Sequence, residues 1–270
     1  MKPSLAFVGA GKMVTAIVRG LLSKNIFSPE EMTCVSAPDG TSEKLAADTG
    51  ICRAETLEEL LAARPDRILL GCKPHQLDSL DPTAIAHTEG ALVLSIMAGK
   101  TLAGLGEKFP SARNLVRSMP NTPGQIGAGV TGYLFAEEPT AKDQTDVERI
   151  LSALGLALRV TEEGHVDCVT AISGSGPAYL FEFACALEEA GASIGLDKDL
   201  ARNLAIETIL GAGRLMAHSE EHPETLRNNV TSPNGTTQAA LETFAAGNFR
   251  DLVQKAVTAA RDRSVELAQA

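Results

Sequence analysis

Gly9-Ala10-Gly11-Lys12-Met13-Val14 follows directly on a short apolar run, Leu5–Val8, and leads into an amphipathic stretch over residues 13–22. Between a strand and a helix, such a loop binds phosphate. Gly9 permits the tight turn, Gly11 lets a pyrophosphate approach the backbone, and the helix start offers free N–H groups and a partial positive charge. Gly9, Gly11, Lys12 and Met13 are therefore candidate cofactor ligands. Val14 stands where a third glycine is usual, so the fingerprint is partial and its weight comes from its setting. Enzymes that take NAD commonly place a carboxylate at the end of the second strand for the ribose 2′-hydroxyl. Here that run reads Thr33-Cys34-Val35-Ser36-Ala37-Pro38, with no carboxylate before Asp39. The neutral Ser36, with Thr41, Ser42 and Lys44 beyond it, tolerates a 2′-phosphate, and the lack of an arginine beside it keeps the preference mild. NADP is the expected cofactor, with NADPH preferred and NADH accommodated. The plainer reading of Ser36 is a strand end.

Ser232-Pro233-Asn234-Gly235 is a turn sequence, and Thr236 or Thr237 is a good N-cap for the helix after it. A helix start with two hydroxyls suits a small carboxylate. Ser173-Gly174-Ser175-Gly176-Pro177 has the composition of a second helix start, although tight packing between subunits accounts for its small residues equally well. Lys73-Pro74 closes the run 68–72, at a strand end where open α/β sheets bind ligands. Other chemistries find no residues. His75, His87, His165, His218 and His222 show no metal-ligand spacing, and both H-E-x-x-H and G-x-S-x-G are absent. Cys34, Cys52, Cys72, Cys168 and Cys185 include no C-x-x-C, so no metal site is expected and a reducing compartment, the cytoplasm, is.

These segments need a scaffold to position them. The chain has 270 residues, 44% hydrophobic and 21% charged, enough for a packed core and about two domains. A net charge of −10 and 4% aromatics argue against a nucleic-acid partner, since phosphate is repelled and bases find few rings to stack on. No run of about 18 apolar residues exists to cross a membrane, and the first apolar run is too short for a signal segment. Short β-rich runs at 5–8, 33–36, 68–72, 92–95, 114–116 and 130–135 alternate with helical patterns at 13–22, 57–63 and 141–154. This predicts a largely parallel sheet covered on both faces, with 156–160 at an edge. Beyond about Thr161 the pattern is helical only. It gives a nearly all-apolar helix over 178–187, one capped by Asp197 and running to Met216, and a last helix around 262–267. The expected fold is α/β: a Rossmann-like dinucleotide-binding domain at 1–161, then an all-α domain at 162–270 that buries its apolar helix in a partner subunit.

The Gly9 loop, Lys73-Pro74-His75, Arg117-Ser118-Met119-Pro120-Asn121-Thr122-Pro123, Ser173-Gly174-Ser175-Gly176-Pro177-Ala178-Tyr179 and Asn229-Val230-Thr231-Ser232-Pro233-Asn234-Gly235-Thr236-Thr237 come in a telling order and spacing. With them the chain resembles pyrroline-5-carboxylate reductase from Leu5 to Leu267. The resemblance implies reduction of a cyclic imine, 1-pyrroline-5-carboxylate, to L-proline with NAD(P)H, the last step of proline biosynthesis. It implies a homodimer that assembles further into a decamer. It implies cofactor contacts at Thr56, Cys72, Lys73, Pro74, Met97, Ala98, Asn121 and Asn229, besides Ser36 and the first loop. Substrate contacts are implied at Ser232, Asn234, Gly235, Thr236 and Thr237, with Ser173 and Ser175 against the same pocket. Asn234 replaces the family's usual glycine, and asparagine tolerates left-handed angles, so the loop is expected to survive. Glu220 matches a family position near the ring nitrogen, though a solvated carboxylate is its plainer reading. Thr237, Glu220 and Ser175 are the catalytic candidates. A β-hydroxyacid dehydrogenase or another imine-reducing NADP enzyme would share this layout, but the lysine the former needs is missing from Gly174-Ser175-Gly176-Pro177-Ala178. A noncatalytic NADP sensor would have no use for a carboxylate site.

Overall fold

In the computed structural model, which describes residues 4–269, strands and helices alternate as far as Arg159. They run β1 (Leu5–Val8), α1 (Lys12–Ser23), β2 (Met32–Val35), α2 (Thr41–Thr49), β3 (Cys52–Arg53), α3 (Leu57–Ala62), β4 (Arg67–Leu70), α4 (Pro82–Ile85) and β5 (Leu92–Ser95). Then come α5 (Leu102–Lys108), β6 (Asn114–Met119), β7 (Gly129–Phe135), α6 (Ala141–Leu151) and β8 (Gly155–Arg159). Helices alone follow: α7 (Glu163–Val169), α8 (Gly176–Ser193), α9 (Lys198–His218), α10 (Pro223–Asn229), α11 (Thr236–Ala246) and α12 (Phe249–Gln269). The α/β Rossmann-like sheet followed by helices is the fold expected from the sequence.

The strands form one sheet in the order β3-β2-β1-β4-β5-β6-β7-β8. All neighbours are parallel except β6 and β7, which a short Pro-rich turn joins as an antiparallel pair. Side chains alternate across each strand, so both faces of a buried strand must be apolar. Leu5 and Phe7 of β1 therefore join Val14, Ile17 and Leu21 of α1 and Ile150 of α6 on one face. Ala6 and Val8 join Leu60 of α3, Ile85 of α4 and Leu105 of α5 on the other. Each large side chain so buried contributes about 1.5–3 kcal/mol.

Several expected boundaries move. β4 ends at Leu70, not Cys72, because Gly71 and Cys72 press against the Gly9 turn. β6 extends past Val116 to Met119, carried on by its pairing with β7. The helix expected over 141–154 closes at Leu151 and tightens into a single turn, Ser152–Leu154. β3 escaped the sequence reading; two residues are too short for a pattern.

The chain divides into two compact units, Met1–Ser175 with Ala260–Ala270, and Gly176–Ala259. α12 belongs to the second unit through Ala259 and to the first from Ala260. In the second unit α8 lies so close to α9 that a Cβ at Gly191 would stand 2.9 Å from Ala201 Cβ. Asp197 caps α9 as expected, accepting from the N–H groups of Asp199 and Leu200. α8 buries none of its residues, and Leu180 and Phe181 are exposed. No described helix is long and apolar enough to cross a membrane.

Candidate functional site

β1 and β4 lie side by side, and the sheet grows from them in opposite directions. The carboxyl ends of two such strands open a crevice between the connections that leave them. Here it is a cleft of about 320 Å³, and its walls include Gly9, Gly11, Ser36, Thr56, Cys72 and Lys73, all named by the sequence.

Gly9 has φ +104°, and a Cβ there would lie 2.5–2.7 Å from the backbone of Gly71 and Cys72. Only glycine closes this turn. Gly11 is the N-cap of α1, with no side chain accepting from the first-turn N–H groups and no acidic residue in that turn. A Cβ on Gly11 would meet nothing within 4 Å. The donors of the helix start thus open on free space, where the helix carries roughly half a positive charge, and they fit the pyrophosphate of a dinucleotide. Met13 packs against the core, so it offers the loop its N–H and not its side chain. Lys12 lines an adjoining depression with Thr15, Arg19 and Lys44.

The far end of the cleft is a hydrogen-bonded turn. Ser36 Oγ lies 2.9 Å from Ala37 O and 3.2 Å from Asp39 Oδ1, and accepts the Ser42 N–H at 3.2 Å. Asp39 Oδ1 also accepts the Thr41 hydroxyl at 2.6 Å and the Thr41 N–H at 3.0 Å. Those two donors hold the Asp39 carboxyl below its ordinary range, so it stays ionised. Asp39, Thr41 and Glu55 line the cleft beside Ser36; the sequence picks out Thr41 as a neighbour of Ser36, but not Asp39 or Glu55 as part of the site. The Asp39-Gly40-Thr41 turn was the available signal, since aspartate in a turn caps the N–H two residues on. The absence of an arginine beside Ser36 holds only along the chain. Pairing of β3 with β2 sets Arg53 opposite Cys34, and Arg53 Nε lies 3.4 Å from Ser42 Oγ. Its guanidinium pairs with Glu43 at 2.6 Å and with Glu55.

Toward the other end, Cys72 Sγ lies 3.7 Å from Met97 Sδ, and burial pushes the Cys72 thiol up, away from the reactive thiolate. Met97 itself is buried in the core, and Ala98 is exposed. Pro74 opens the single turn Pro74–Gln76, whose Gln76 lines the cleft. Asn121 Oδ1 accepts the Val130 N–H at 2.9 Å, tying the turn after β6 to β7.

One local expectation is met and one is corrected. The helix start expected in Ser173–Pro177 is present: Ser175 stands directly before α8, which begins at Gly176. Thr170–Gly174 before it is a π-helical turn continuous with α7, in which the Ser175 N–H donates to Thr170 O at 2.8 Å, so that N–H is not a free anion donor. Such turns are common at functional positions. Ser173 Oγ donates to Val169 O at 3.1 Å. In the second unit, neither Thr236 nor Thr237 is an N-cap. Gly235 occupies that place and no side-chain oxygen caps α11, because the turn closes one residue earlier through Gly235 N–H to Ser232 O at 3.0 Å. The N–H groups at the start of α11 are left without a cap, as an anion site needs. Asn234 adopts φ +57°, as the glycine replacement requires, and donates its N–H to Gln238 Oε1 at 2.8 Å. Asn229 Nδ2 donates to Glu221 at 3.2 Å, while Glu220 is exposed.

Comparison with known proteins agrees with this picture. Residues 163–267 match the family model for pyrroline-5-carboxylate reductase dimerisation, and residues 4–99 match that for coenzyme F420-dependent NADP oxidoreductases. A pyrroline-5-carboxylate reductase of Pseudomonas aeruginosa is 37% identical, covering 99% of this chain and 97% of the relative; one of Synechocystis is 35% identical, covering 99% of both. The solved pyrroline-5-carboxylate reductase of Coxiella burnetii superposes with a TM-score of 0.92 at 33% identity, over 99% of both chains. That of Plasmodium falciparum, solved with NADP bound, gives 0.85 at 29% identity, again over 99% of both. With full-length identity of this order, and the dinucleotide cradle in place, the chain belongs to the pyrroline-5-carboxylate reductase family.

Proposed function

We propose that this protein reduces 1-pyrroline-5-carboxylate to L-proline, the last step of proline biosynthesis, with NADPH preferred over NADH. The observation that carries the reading is the uncapped start of α1 beyond Gly9, open to the cleft, in a chain alike over its full length to enzymes of that name. When bound, the dinucleotide supplies a hydride; the imine carbon takes it and the imine nitrogen takes a proton.

Gly9, Gly11 and the N–H groups of Lys12 and Met13 hold the pyrophosphate. Ser36 and Thr56 hold the adenosine end, and Cys72, Lys73, Pro74, Met97, Ala98, Asn121 and Asn229 serve the remainder. NADPH is supported by the neutral Ser36 hydroxyl and by Arg53 behind the same turn. For the substrate, the α11 start with Ser232, Asn234, Gly235, Thr236 and Thr237 holds the carboxylate, and Ser173 and Ser175 contact the ring. An iminium already accepts hydride well, so orientation and fixed dipoles carry the rate. Thr237, Ser175 and Glu220 are the groups we assign to the proton at the ring nitrogen. Residues 162–270 form the dimerisation and substrate domain, residues 1–161 the dinucleotide domain. The working unit is a cytoplasmic homodimer, with the decamer as its higher assembly. An NADPH-oxidation assay with racemic pyrroline-5-carboxylate tests this. Imine-dependent oxidation with proline formed one for one supports it; a protein that binds NADPH but oxidises none of it overturns it.

A further inference from the structure

The end of the cleft at Ser36 holds, beside Ser36 and Arg53, which favour a 2′-phosphate, carboxylates that act against one. Asp39 and Glu55 both line it. Glu43 joins them through Arg53, so the hydrogen-bonded set holds three carboxylates against one guanidinium, and that guanidinium is already paired twice. Asp39 uses only Oδ1 within the turn, where it takes the Thr41 N–H and hydroxyl and lies 3.2 Å from Ser36 Oγ. Among the described residues Oδ2 receives no hydrogen bond, on an exposed side chain at the cleft wall.

A carboxylate fixed through one oxygen presents the other as an acceptor of known position. A ribose 2′-hydroxyl donates to such an oxygen, whereas a 2′-phosphate of about two negative charges is repelled by it. Arg53 is the only described guanidinium hydrogen-bonded into this turn, and a phosphate would draw it from Glu43 and Glu55. We infer that Asp39 is a specificity-determining residue of this cleft, holding the adenosine ribose of NADH through its free oxygen and opposing the 2′-phosphate of NADPH. Arg53 acts in the contrary sense, as the cation a 2′-phosphate recruits. Between them the two residues set the ratio at which the two dinucleotides are used. The inference rests on the cleft being the dinucleotide site.

Calorimetric binding of 5′-ADP and 2′,5′-ADP to the full chain reads this without turnover. Asp39→Asn keeps an Oδ1 for Thr41 while removing the charge. It is expected to tighten 2′,5′-ADP about tenfold and to weaken 5′-ADP several-fold. Arg53→Gln is expected to weaken 2′,5′-ADP about tenfold and to leave 5′-ADP within twofold. Glu55→Gln, on the same wall, should move the ratio in the direction of Asp39→Asn by a smaller factor. An unchanged ratio in folded Asp39→Asn overturns the inference and leaves the cleft assignment standing. Wild-type protein that binds neither fragment overturns both.

Discussion

Ser264 donates a 2.8 Å hydrogen bond to Asp167 Oδ1, 97 residues earlier in the chain, inside the first unit. The same oxygen takes Arg117 Nη2 at 2.7 Å, and Arg117 Nη1 reaches Glu163 Oε1 at 3.1 Å. Arg117 is 3% exposed and Asp167 6%, so this is a buried charge network at the base of the Met119-Pro120-Asn121 turn. Breaking a buried pair leaves an uncompensated charge. Arg117→Met should therefore cost about 3–5 kcal/mol in urea unfolding, while Ser264→Ala, which leaves the ion pair intact, should cost about 1.5–3 kcal/mol. Equal losses for the two would contradict the network.

The two glycines of the first loop are expected to fail differently. Gly9→Ala forces a Cβ against the Gly71–Cys72 backbone at positive φ, so it should lower the urea midpoint as well as dinucleotide binding. Gly11→Val meets open space and an extended backbone, so the midpoint should hold while the side chain fills the room the pyrophosphate needs. Calorimetry of Gly11→Val showing wild-type affinity would remove the pyrophosphate from this place.

That loop was legible because everything that defines it is local: an apolar strand, two glycines and a helix, all within the consecutive stretch Leu5–Ser23. The adenosine end was not. Arg53 reaches Ser42 only because β3, two residues long, adds to the sheet edge, and no periodicity marks so short a strand. The cap of α11 was misplaced for a related reason. Threonine is a good N-cap by type, but the Ser232–Gly235 turn closes first and pushes both threonines inside the helix. The π-helical turn at Thr170–Gly174 likewise has no signature in composition, whereas the serine and glycine pattern after it marked the start of α8 at Gly176.

With Gly235 at the cap, Thr237→Ala should leave stability within about 0.5 kcal/mol of wild type. Its effect should fall on the imine. Losing a hydrogen bond to a charged carboxylate is worth about 1.5–3 kcal/mol, roughly tenfold to hundredfold in kcat/KM, with NADPH affinity unchanged. Steady-state kinetics with each substrate varied in turn separates the two, and an unaltered kcat/KM for the imine moves the carboxylate away from α11.

Acid should act through Asp66. Burial works to raise its pKa, but the hydrogen bond from Lys142 and the charges of Arg113 and Arg67 outweigh it and hold the carboxyl below its ordinary 3.8. A carboxyl depressed in the folded state binds protons more readily when unfolded. Its contribution is then complete above about pH 4 and is lost as pH falls through the lower folded value. Asp66→Asn should lower the urea midpoint at pH 7 and leave a shallower decline below pH 4. Parallel acid limbs for variant and wild type would assign the acid sensitivity to other carboxylates.

Phe181, 66% exposed on a helix that buries none of its residues, should sit inside a subunit interface. Light scattering at low micromolar concentration is expected to give a dimer or a multiple of one, and Phe181→Asp a monomer. Wild-type protein that is active as a monomer would refute this.

The first unit is discontinuous along the chain, and this sets a schedule for its assembly. The sheet and both of its apolar layers are complete in sequence by Ser175, and can form as those residues emerge during synthesis. Ser264 is translated only after all of Gly176–Ala259, a stretch that takes roughly 4–17 s at ordinary elongation rates. Throughout that interval Asp167 lacks one of its donors. The nascent first unit then has its sheet, its core and the Arg117–Asp167 ion pair, but not the cover that the end of α12 later places over Asp167 and Gly99.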